Sequence, residues 1–588
     1  MIYYLFTIGK SPVIIYVYIT MLQVKNLHTY FYSGDQCIQA VKGISFQLDK
    51  GQTLGIVGES GSGKSVTALS ILNLISSPPG KIEQGQIIIQ DDDQAIDLLS
   101  VPECDMHQYR GRCVAMVFQE PMTSLNPVMR CGDQVLEAIL THNKVTKTEA
   151  KERVLTLFKE VQLPDPLNTY DKYPHEISGG QKQRVMIAMA LSCNPGVLIA
   201  DEPTTALDVT VQKTILDLLK KLISSRGMSL IFISHDLGVI AQICNQVAVM
   251  YKGQIIEQGS CQEILKSPKE PYTIGLLACR PPLNYKTKRL PTVDDYLQNQ
   301  NDVFKEERLS DKEINNRLER LTTQKPLLKV KNLKSYYPKE KNFFGKITEW
   351  FEAVEDVSFE IYPGETLGLV GESGCGKSTL GRTMINLKKA TSGSVKYGDV
   401  DVLKCEKFEL RNLRKKMQII FQDPYSSLNP RMQIGRAIME PMEVHNLHGN
   451  KAARKEETLS LLRKVALGEE HFHRYPHQFS GGQRQRICIA RALAVEPEFI
   501  ICDEAVSALD VSVQASVLNL LKDLQEEYNL TYLFISHDLS VVQYFSDRIM
   551  VMNNGRIIET GSADEIFNHS KNLYTRQLIN AIPKINFS

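Results

Sequence analysis

The chain has 588 residues, of which 43% are hydrophobic and 23% charged, a globular composition that excludes a disordered or fibrous protein. Because a single hydrophobic core stops growing well below this length, we expect two or three domains. The 68 lysine and arginine residues balance the 67 aspartate and glutamate residues, which argues against bulk binding of nucleic acid. The twelve cysteines are scattered without a CxxC pair, which excludes a disulfide framework.

The first segment, residues 1–20, is apolar but is interrupted by Gly9-Lys10-Ser11-Pro12. Pro12 would break a helix at its centre, so the segment makes a poor transmembrane helix. It also lacks the basic start and the small-residue cleavage site of a signal peptide. We predict an N-terminal extension, either a mis-assigned start before Met21 or a disordered segment. A membrane-touching segment is the alternative.

Five motifs occur twice in the same order, which indicates an internal repeat. We therefore predict two homologous domains, residues 21–283 and 327–588, separated by a linker at 284–326. The motif pairs are GESGSGKS (58–65) with GESGCGKS (371–378), FQEPMTSLNP (118–127) with FQDPYSSLNP (421–430), ISGGQKQR (177–184) with FSGGQRQR (479–486), ADEPTTALDV (200–209) with CDEAVSALDV (502–511), and FISHDL (232–237) with FISHDL (534–539).

In each copy a glycine-rich loop of the form GxxxxGK[ST] follows an apolar strand pattern. Such glycines let successive N–H groups point at phosphate oxygens beside a helix N-terminus. Lys64 and Lys377 are predicted to reach the β- and γ-phosphates, and Ser65 and Ser378 to hold Mg²⁺. The predicted nucleotide-binding residues of the two loops are Gly58, Glu59, Ser60, Gly61, Ser62, Gly63, Lys64 and Ser65, and Gly371, Glu372, Ser373, Gly374, Cys375, Gly376, Lys377 and Ser378.

Two short apolar runs, at 197–200 and 499–502, end in Asp-Glu. A buried strand that ends in carboxylates places them in the crevice where ligands of α/β sheets bind. The first acid is the expected Mg²⁺ ligand, and the second is placed to act as general base for an attacking water. The predicted pairs are Asp201 with Glu202, and Asp503 with Glu504.

The sequence Ser-Gly-Gly-Gln, which precedes a helix pattern in each copy, resembles the signature of the ATP-binding-cassette (ABC) family. The resemblance implies two tandem α/β domains, each with a RecA-like core, an antiparallel β subdomain and a helical signature subdomain. It also implies that each signature binds the γ-phosphate of the nucleotide held by the other domain in a head-to-tail pair, so that Lys64 works with Ser480 and Lys377 with Ser178. The signature residues are Ser178, Gly179, Gly180 and Gln181, and Ser480, Gly481, Gly482 and Gln483.

The same resemblance implies roles for a glutamine and a histidine in each copy. Gln119 and Gln422 match the family's glutamine loop, which senses Mg²⁺ and water and touches the membrane subunit. The resemblance therefore implies that they are Mg²⁺ ligands. His235 and His537 match the switch histidine, which bridges the catalytic base and the γ-phosphate.

Asp208 and Asp510 match the family's loop that crosses between the domains. Phe31 and Tyr337 occupy the equivalent place of the adenine-stacking aromatic. For these two rings a packing role stays open, because aromatics before a strand more often pack than bind a cofactor.

The glutamine-loop sequences and the tails Pro271-Tyr-Thr273 and Leu573-Tyr-Thr575 resemble the ATPase subunits of peptide and nickel importers. The resemblance implies a fused D-type and F-type subunit that binds ATP and Mg²⁺, peripheral on the cytoplasmic face of the bacterial inner membrane. Its implied partners are two transmembrane permease subunits and an extracytoplasmic substrate-binding protein, with one chain supplying both ATPase domains and no nucleic acid bound. The cargo stays open between oligopeptide, dipeptide, glutathione, nickel or another solute.

Two further expectations limit this interpretation. Some importer relatives carry an iron–sulfur cluster in the tail, but here Cys279 is followed by no cysteine until Cys405, so we expect none. The alternative function is a soluble tandem ABC ATPase acting on ribosomes or nucleic acid. Those relatives usually have Asn-His-Leu-Asp where this chain has Thr-Ala-Leu-Asp208 and Ser-Ala-Leu-Asp510.

The predicted linker is polar and rich in charge, with one helical pattern inside it. Ser310 and Glu313 have the spacing of a capping box, and Ile314, Leu318 and Leu321 follow at helical intervals. We predict a short surface helix there.

Overall fold

The computed structural model describes residues 2–8, 11–17, 20–91, 94–205, 207–298, 306–341, 347–507 and 509–583. The chain divides into two compact units, each built around one cassette. The first consists of Met1–Leu207, Val211–Leu277 and Pro583–Ser588, and the second of Asp208–Thr210 and Ala278–Ile582. No helix within the described ranges is long and apolar enough to cross a membrane.

Each cassette combines a six-stranded sheet with a four-stranded antiparallel sheet. In the first cassette the orders are β12-β11-β5-β10-β9-β8 and β4-β3-β6-β7, and β5, β8, β9, β10 and β11 are parallel. Its strands are β1 (Ile2–Ile8), β2 (Ser11–Val17), β3 (Thr20–Ser33), β4 (Gln36–Asp49), β5 (Thr53–Val57), β6 (Gly80–Asp91), β7 (Gln94–Asp97), β8 (Val114–Val117), β9 (Val197–Asp201), β10 (Ser229–Ser234), β11 (Gln246–Tyr251) and β12 (Gln254–Ser260).

Helices cover the parallel sheet and form a separate group between β8 and β9. The strands β5, β9 and β10 are buried along their whole length, which is why they are continuous apolar runs. The helices are α1 (Lys64–Ile71), α2 (Pro121–Ser124), α3 (Cys131–His142), α4 (Lys147–Glu160), α5 (Pro166–Asp171), α6 (Gly179–Leu191), α7 (Val209–Arg226), α8 (Leu237–Ile243), α9 (Cys261–Lys266) and α10 (Pro271–Ala278).

The second cassette repeats this plan, with sheets β18-β19-β20-β15-β21-β22 and β14-β13-β16-β17. Its strands are β13 (Leu328–Lys341), β14 (Ile347–Ile361), β15 (Thr366–Val370), β16 (Ser392–Tyr397), β17 (Val400–Asp401), β18 (Met417–Ile420), β19 (Phe499–Asp503), β20 (Thr531–Ile535), β21 (Arg548–Asn553) and β22 (Arg556–Ser562). The helices of the second unit are α11 (Val293–Gln298), α12 (Asp311–Thr322), α13 (Lys377–Met384), α14 (Lys407–Lys416), α15 (Pro424–Ser427), α16 (Ile434–Val444), α17 (Lys451–Lys464), α18 (Gly481–Leu493), α19 (Val511–Tyr528), α20 (Leu539–Phe545), α21 (Ala563–His569) and α22 (Leu573–Ala581).

One core in each cassette joins its two sheets. In the first cassette Leu22 and Val24 of β3 pack with Ile56 of β5 and Ile71 of α1, and all four side chains are buried. The predicted α/β class with an antiparallel subdomain and a helical subdomain in each copy is confirmed.

The N-terminal extension forms a hairpin, for which the sequence analysis predicts no structure. Strands β1 and β2 pair antiparallel, with Ile2 opposite Val17 and Ile8 opposite Ser11. Both strands are rich in Ile, Val and Tyr, which favour strands.

The predicted linker contains the predicted helix, α12, capped reciprocally by Ser310 and Glu313. However, the segment does more than span a distance, because it packs on the second cassette. We call residues 283–298 and 306–326 the strap. Leu290 of the strap is fully buried, and its N–H and C=O bond the Asn519 side chain of α19 at 2.9 and 2.8 Å. Arg317 of α12 donates to both Asp547 carboxylate oxygens, at 2.7 and 3.1 Å.

Candidate active sites

The phosphate-type loops lie between a buried strand and a helix in both copies, β5 and α1 in the first and β15 and α13 in the second. Gly63 precedes α1 with φ +104°, and a Cβ there would clash with the Ala40 carbonyl. Gly376 has φ +110° and would clash in the same way with the carbonyl of Ala353. Only glycine tolerates both the conformation and the close approach, so the loops depend on these positions.

The loop lysines lie inside the loops. The Lys64 ammonium donates to the carbonyls of Gly58 and Glu59 at 2.8 and 2.9 Å. Lys377 donates to the equivalent carbonyls of Gly371 and Glu372, at 2.7 and 2.8 Å. Each ammonium therefore adds a positive charge beside the backbone N–H groups of the following helix terminus, which suits a phosphate chain.

Two of the three predicted Mg²⁺ ligands, a serine and an aspartate, are in contact in each copy, whereas the third, a glutamine, donates to the following glutamate. The Ser65 hydroxyl donates to Asp201 at 3.1 Å, and the Ser378 hydroxyl donates to Asp503 at 2.6 Å. Burial raises the pKa of Asp201 to about 6 and also raises the pKa of Asp503. A hydroxyl and a carboxylate from adjacent elements are oxygen donors of the kind that Mg²⁺ uses. A nearby cation would offset the cost of burying these carboxylates.

The first general-base candidate, Glu202, accepts hydrogen bonds from three elements at one carboxylate oxygen. Gln119 donates at 3.1 Å, Thr205 at 2.8 Å and the Nδ1 of His235 at 3.3 Å. Burial favours the neutral acid, but the hydrogen bonds from His235 and Thr205 outweigh it and lower the pKa of Glu202 to about 2. The side chain is therefore an oriented carboxylate at neutral pH.

The second candidate, Glu504, has a similar environment. Gln422 donates to its carboxylate at 2.8 Å and His537 at 3.3 Å. Burial favours the neutral acid, but the His537 contact and the Lys377 charge outweigh it and lower the pKa of Glu504. Ser507 replaces Thr205 but donates to the Glu504 backbone carbonyl, at 2.9 Å. Arg382 lies 3.5 Å from Asp503.

The sheet order explains these meetings. Gln119, Glu202 and His235 follow β8, β9 and β10, which are neighbours in one parallel sheet. Their carboxyl ends therefore meet at one edge. Two residues beside the predicted site residues, Thr205 and Arg382, are not predicted from the sequence. Thr205 stands in a motif shared by both copies, which was a usable signal, whereas Arg382 has no equivalent arginine in the first copy.

The signature residues form helix caps. Ser178 accepts from the Gln181 N–H at 3.4 Å, and the Gln181 side chain accepts from the Ser178 N–H at 3.0 Å. Ser480 and Gln483 make the same capping box, at 3.3 and 3.1 Å. Each box holds the start of a 13-residue helix, α6 or α18. The remaining backbone N–H groups at these helix N-termini make each terminus electropositive, which suits the binding of an anion.

The two predicted adenine-stacking rings differ. Phe31 of β3 is half-buried, and its ring lies so close to Gly80 that a Cβ there would clash with it. Tyr337 is 40% exposed, and the Lys388 ammonium lies over its ring. The packing alternative therefore has support at Phe31, whereas Tyr337 is exposed but its ring is in contact with Lys388.

Two strand–loop–helix units with buried Mg²⁺-type ligands and an oriented carboxylate define nucleotide-hydrolysing cassettes. The family described as ABC transporter matches residues 41–205 and 354–507. The family described as oligopeptide/dipeptide transporter, C-terminal region, matches residues 256–305 and 558–588. The chain belongs to the ABC transporter ATPases, which hydrolyse ATP to drive transport across a membrane.

Full-length relatives agree with this assignment. The chain is 45% identical over 564 residues to the glutathione import ATP-binding protein GsiA of Pectobacterium atrosepticum, covering 96% of this chain and 89% of the relative. It is also 45% identical over 570 residues to GsiA of Escherichia coli K12, with the same coverage. Among solved structures, a dimeric post-hydrolysis state of the cassette MJ0796 with ADP and Pi matches 40% of this chain and 98% of that chain, with 30% identity and a TM-score of 0.37.

Proposed function

We propose that this chain is the energy-coupling subunit of an importer for glutathione or another short peptide. The observation that carries the proposal is the oligopeptide/dipeptide transporter region after each cassette. Relatives named for glutathione import support the solute class, because the match extends over 96% of the chain. The balanced charge and the same C-terminal region disfavour a soluble ATPase acting on ribosomes or nucleic acid.

Both sites hydrolyse ATP in this proposal. Lys64 and Lys377 bind the β- and γ-phosphates as point charges, and Ser65 with Asp201 and Ser378 with Asp503 hold Mg²⁺. Bound Mg²⁺ supplies positive charge that offsets the charge developing on the phosphate oxygens.

The proposed general base at each site is the oriented glutamate. Glu202 and Glu504 accept the proton of the attacking water. His235 and His537 hold these carboxylates through Nδ1, which keeps the base in one orientation. Support comes from the fixed orientation of both glutamates, which are ionised at neutral pH because their pKa values are lowered.

The proposed partners are two permease subunits and an extracytoplasmic binding protein, with this chain peripheral at the cytoplasmic face. A groove in each cassette supports permease docking. The first, of about 220 Å³, exposes Leu74 and Phe118, and the second, of about 270 Å³, exposes Leu387 and Phe421. Exposed apolar surface that recurs in both copies is typical of an interaction site.

The occupant we propose is a cytoplasmic helix of a permease subunit. Phe118 and Phe421 line the grooves and immediately precede Gln119 and Gln422, whose amides bond the catalytic glutamates. A permease helix that binds in a groove would therefore contact the residue next to Gln119 or Gln422, and so could shift the glutamine that bonds the proposed general base.

The test is reconstitution of the chain with its co-purified permease subunits and binding protein in liposomes. We expect glutathione to stimulate ATP hydrolysis several-fold. The same measurement with a dipeptide shows whether other short peptides are also transported. Phe118→Asp should weaken permease binding, whereas Leu167→Asp, at an exposed apolar residue of α5, should not. Hydrolysis that no peptide stimulates would contradict the proposal.

A further inference from the structure

The Pro-Tyr-Thr and Leu-Tyr-Thr tails contain a tyrosine that reaches the phosphate loop of its own cassette. In the first cassette the Tyr272 hydroxyl of α10 accepts a hydrogen bond from the backbone N–H of Glu59, at 3.0 Å. In the second the Tyr574 hydroxyl of α22 accepts from the N–H of Glu372, at 3.2 Å. These contacts join residues 213 and 202 positions apart in the sequence.

Packing holds the first of these tyrosines in place. Tyr272 is 2% exposed, and its ring packs against that of Tyr251 with centroids 4.3 Å apart. Burial raises the pKa of Tyr574, so its phenol stays neutral.

Each tail is also anchored to the last strand of its sheet by a carboxylate. Glu257 of β12 accepts from the N–H of Lys269 at 2.7 Å, and Glu559 of β22 accepts from the N–H of Lys571 at 2.9 Å. The tyrosine contact and the glutamate contact therefore recur in both copies, although the residues around them differ. This recurrence supports a role for the tail in holding the phosphate loop.

The phosphate loop is held from both sides at the same residue. The Glu59 N–H bonds Tyr272, and the Glu59 carbonyl bonds the Lys64 ammonium. If Lys64 turns to a phosphate, the Glu59 carbonyl keeps its turn hydrogen bond from the Ser62 N–H, at 3.1 Å, and Tyr272 continues to hold the Glu59 N–H. Glycine-rich loops lose much conformational entropy on ordering, so such an anchor favours the binding-competent shape.

We propose that Tyr272 and Tyr574 are positioning residues that preset the phosphate loops, and that the C-terminal importer region thereby sets the affinity for ATP. The proposal rests on nucleotide binding at these loops, which is part of the proposed function. Neither tyrosine touches the reacting atoms in this mechanism.

The test uses Tyr272→Phe, which keeps the packed ring and removes only the hydroxyl. In the full chain carrying Lys377→Ala, so that binding reports the first site, we expect the Kd for a fluorescent ATP analogue to rise about three- to tenfold, as for one lost hydrogen bond. The KM for ATP should rise with kcat little changed, and the Tm should stay the same. Tyr251→Phe, in the adjacent ring, is the control and should leave Kd unchanged.

Tyr574→Phe in a Lys64→Ala chain tests the second site independently. Unchanged ATP affinity in both phenylalanine variants would overturn the proposal, as would a fall in affinity that merely follows a fall in Tm. Glutathione stimulation at saturating ATP should persist in Tyr272→Phe. If glutathione did not stimulate the wild-type complex, the proposed importer function alone would be contradicted. The effect of the tyrosine substitutions on ATP affinity would still test the positioning role.

Discussion

At the scale of single residues, the proposed catalytic chemistry depends on two carboxylates whose orientation is set by neighbours. Glu202 has φ +45° and Glu504 has φ +51°, a left-handed conformation that non-glycine residues adopt rarely. Such strain persists only where the surroundings impose it. Here Gln119 and His235 in the first copy, and their equivalents in the second, direct each carboxylate to one place.

Glu202→Gln and Glu504→Gln should each slow hydrolysis at their own site about 10²–10⁴-fold, because a well-placed general base is lost. Binding should persist, since the phosphate loops are unchanged. The measurement is single-turnover hydrolysis with filtration to count retained ATP. Glu152→Gln, on the exposed face of α4, is the control. Full hydrolysis after either substitution would indicate that the substituted site is regulatory. We expect this outcome, if at all, in the second copy, where Ala505 replaces Pro203.

At the scale of elements, the strap is part of the second unit. It contacts α19 through Asn519, α20 through the Gln543 amide that donates to the Leu283 carbonyl at 2.7 Å, and β15 through a shared partner, Asp547. These contacts pair backbone groups that would otherwise be buried without partners. We infer that the strap contributes to the stability of the second cassette.

Asn519→Ala should destabilise the second unit by about 2–4 kcal/mol, because it leaves the N–H and C=O of buried Leu290 unpaired. Calorimetry of the full chain should show a lowered transition for that unit. Asp217→Ala, at the equivalent and exposed position of α7, should change little. Equal stability of the two variants would show that the strap contact is energetically neutral.

At the scale of the whole molecule, one chain contains both cassettes, and each has its own lysine, signature and base. In the proposed function each of the two permease subunits contacts one cassette, so one transporter needs two cassettes. Native mass spectrometry of the purified complex should therefore find one copy of this chain with two permease subunits. Two copies per complex would contradict that stoichiometry.

The family resemblance further predicts that Lys64 and Ser480 act on one nucleotide. Lys64→Ala should weaken ATP binding, whereas Ser480→Ala should mainly slow hydrolysis. Because the two residues serve one interaction, their effects on hydrolysis at the first site should be strongly non-additive in a double-mutant cycle. Lys377 with Ser178 is the matched pair. Coupling of Lys64 to Ser178 instead would contradict the predicted pairing.

Local chemistry made much of this protein predictable from its sequence. The phosphate loops, the Asp-Glu pairs and the α12 capping box each depend on residues within about ten positions, so spacing alone indicates their geometry. The internal repeat supplied a second, independent copy of every motif. The α/β class was implied by the family resemblance, and continuous apolar runs such as 197–200 agree with it, because a parallel strand buried on both faces is apolar along its length.

Only the tertiary structure decided which distant groups meet. The Gln119 and Glu202 side chains are 83 positions apart and come together because β8 and β9 are neighbours in the sheet. Tyr272 reaches Glu59 for a comparable reason, since the tail folds back onto the loop edge. The helix of the strap could be predicted, but its packing on the second cassette could not, because its hydrogen bonds are to Asn519 and Asp547, far along the chain. Long-range pairing of this kind is set by burial and shape, which no local pattern records.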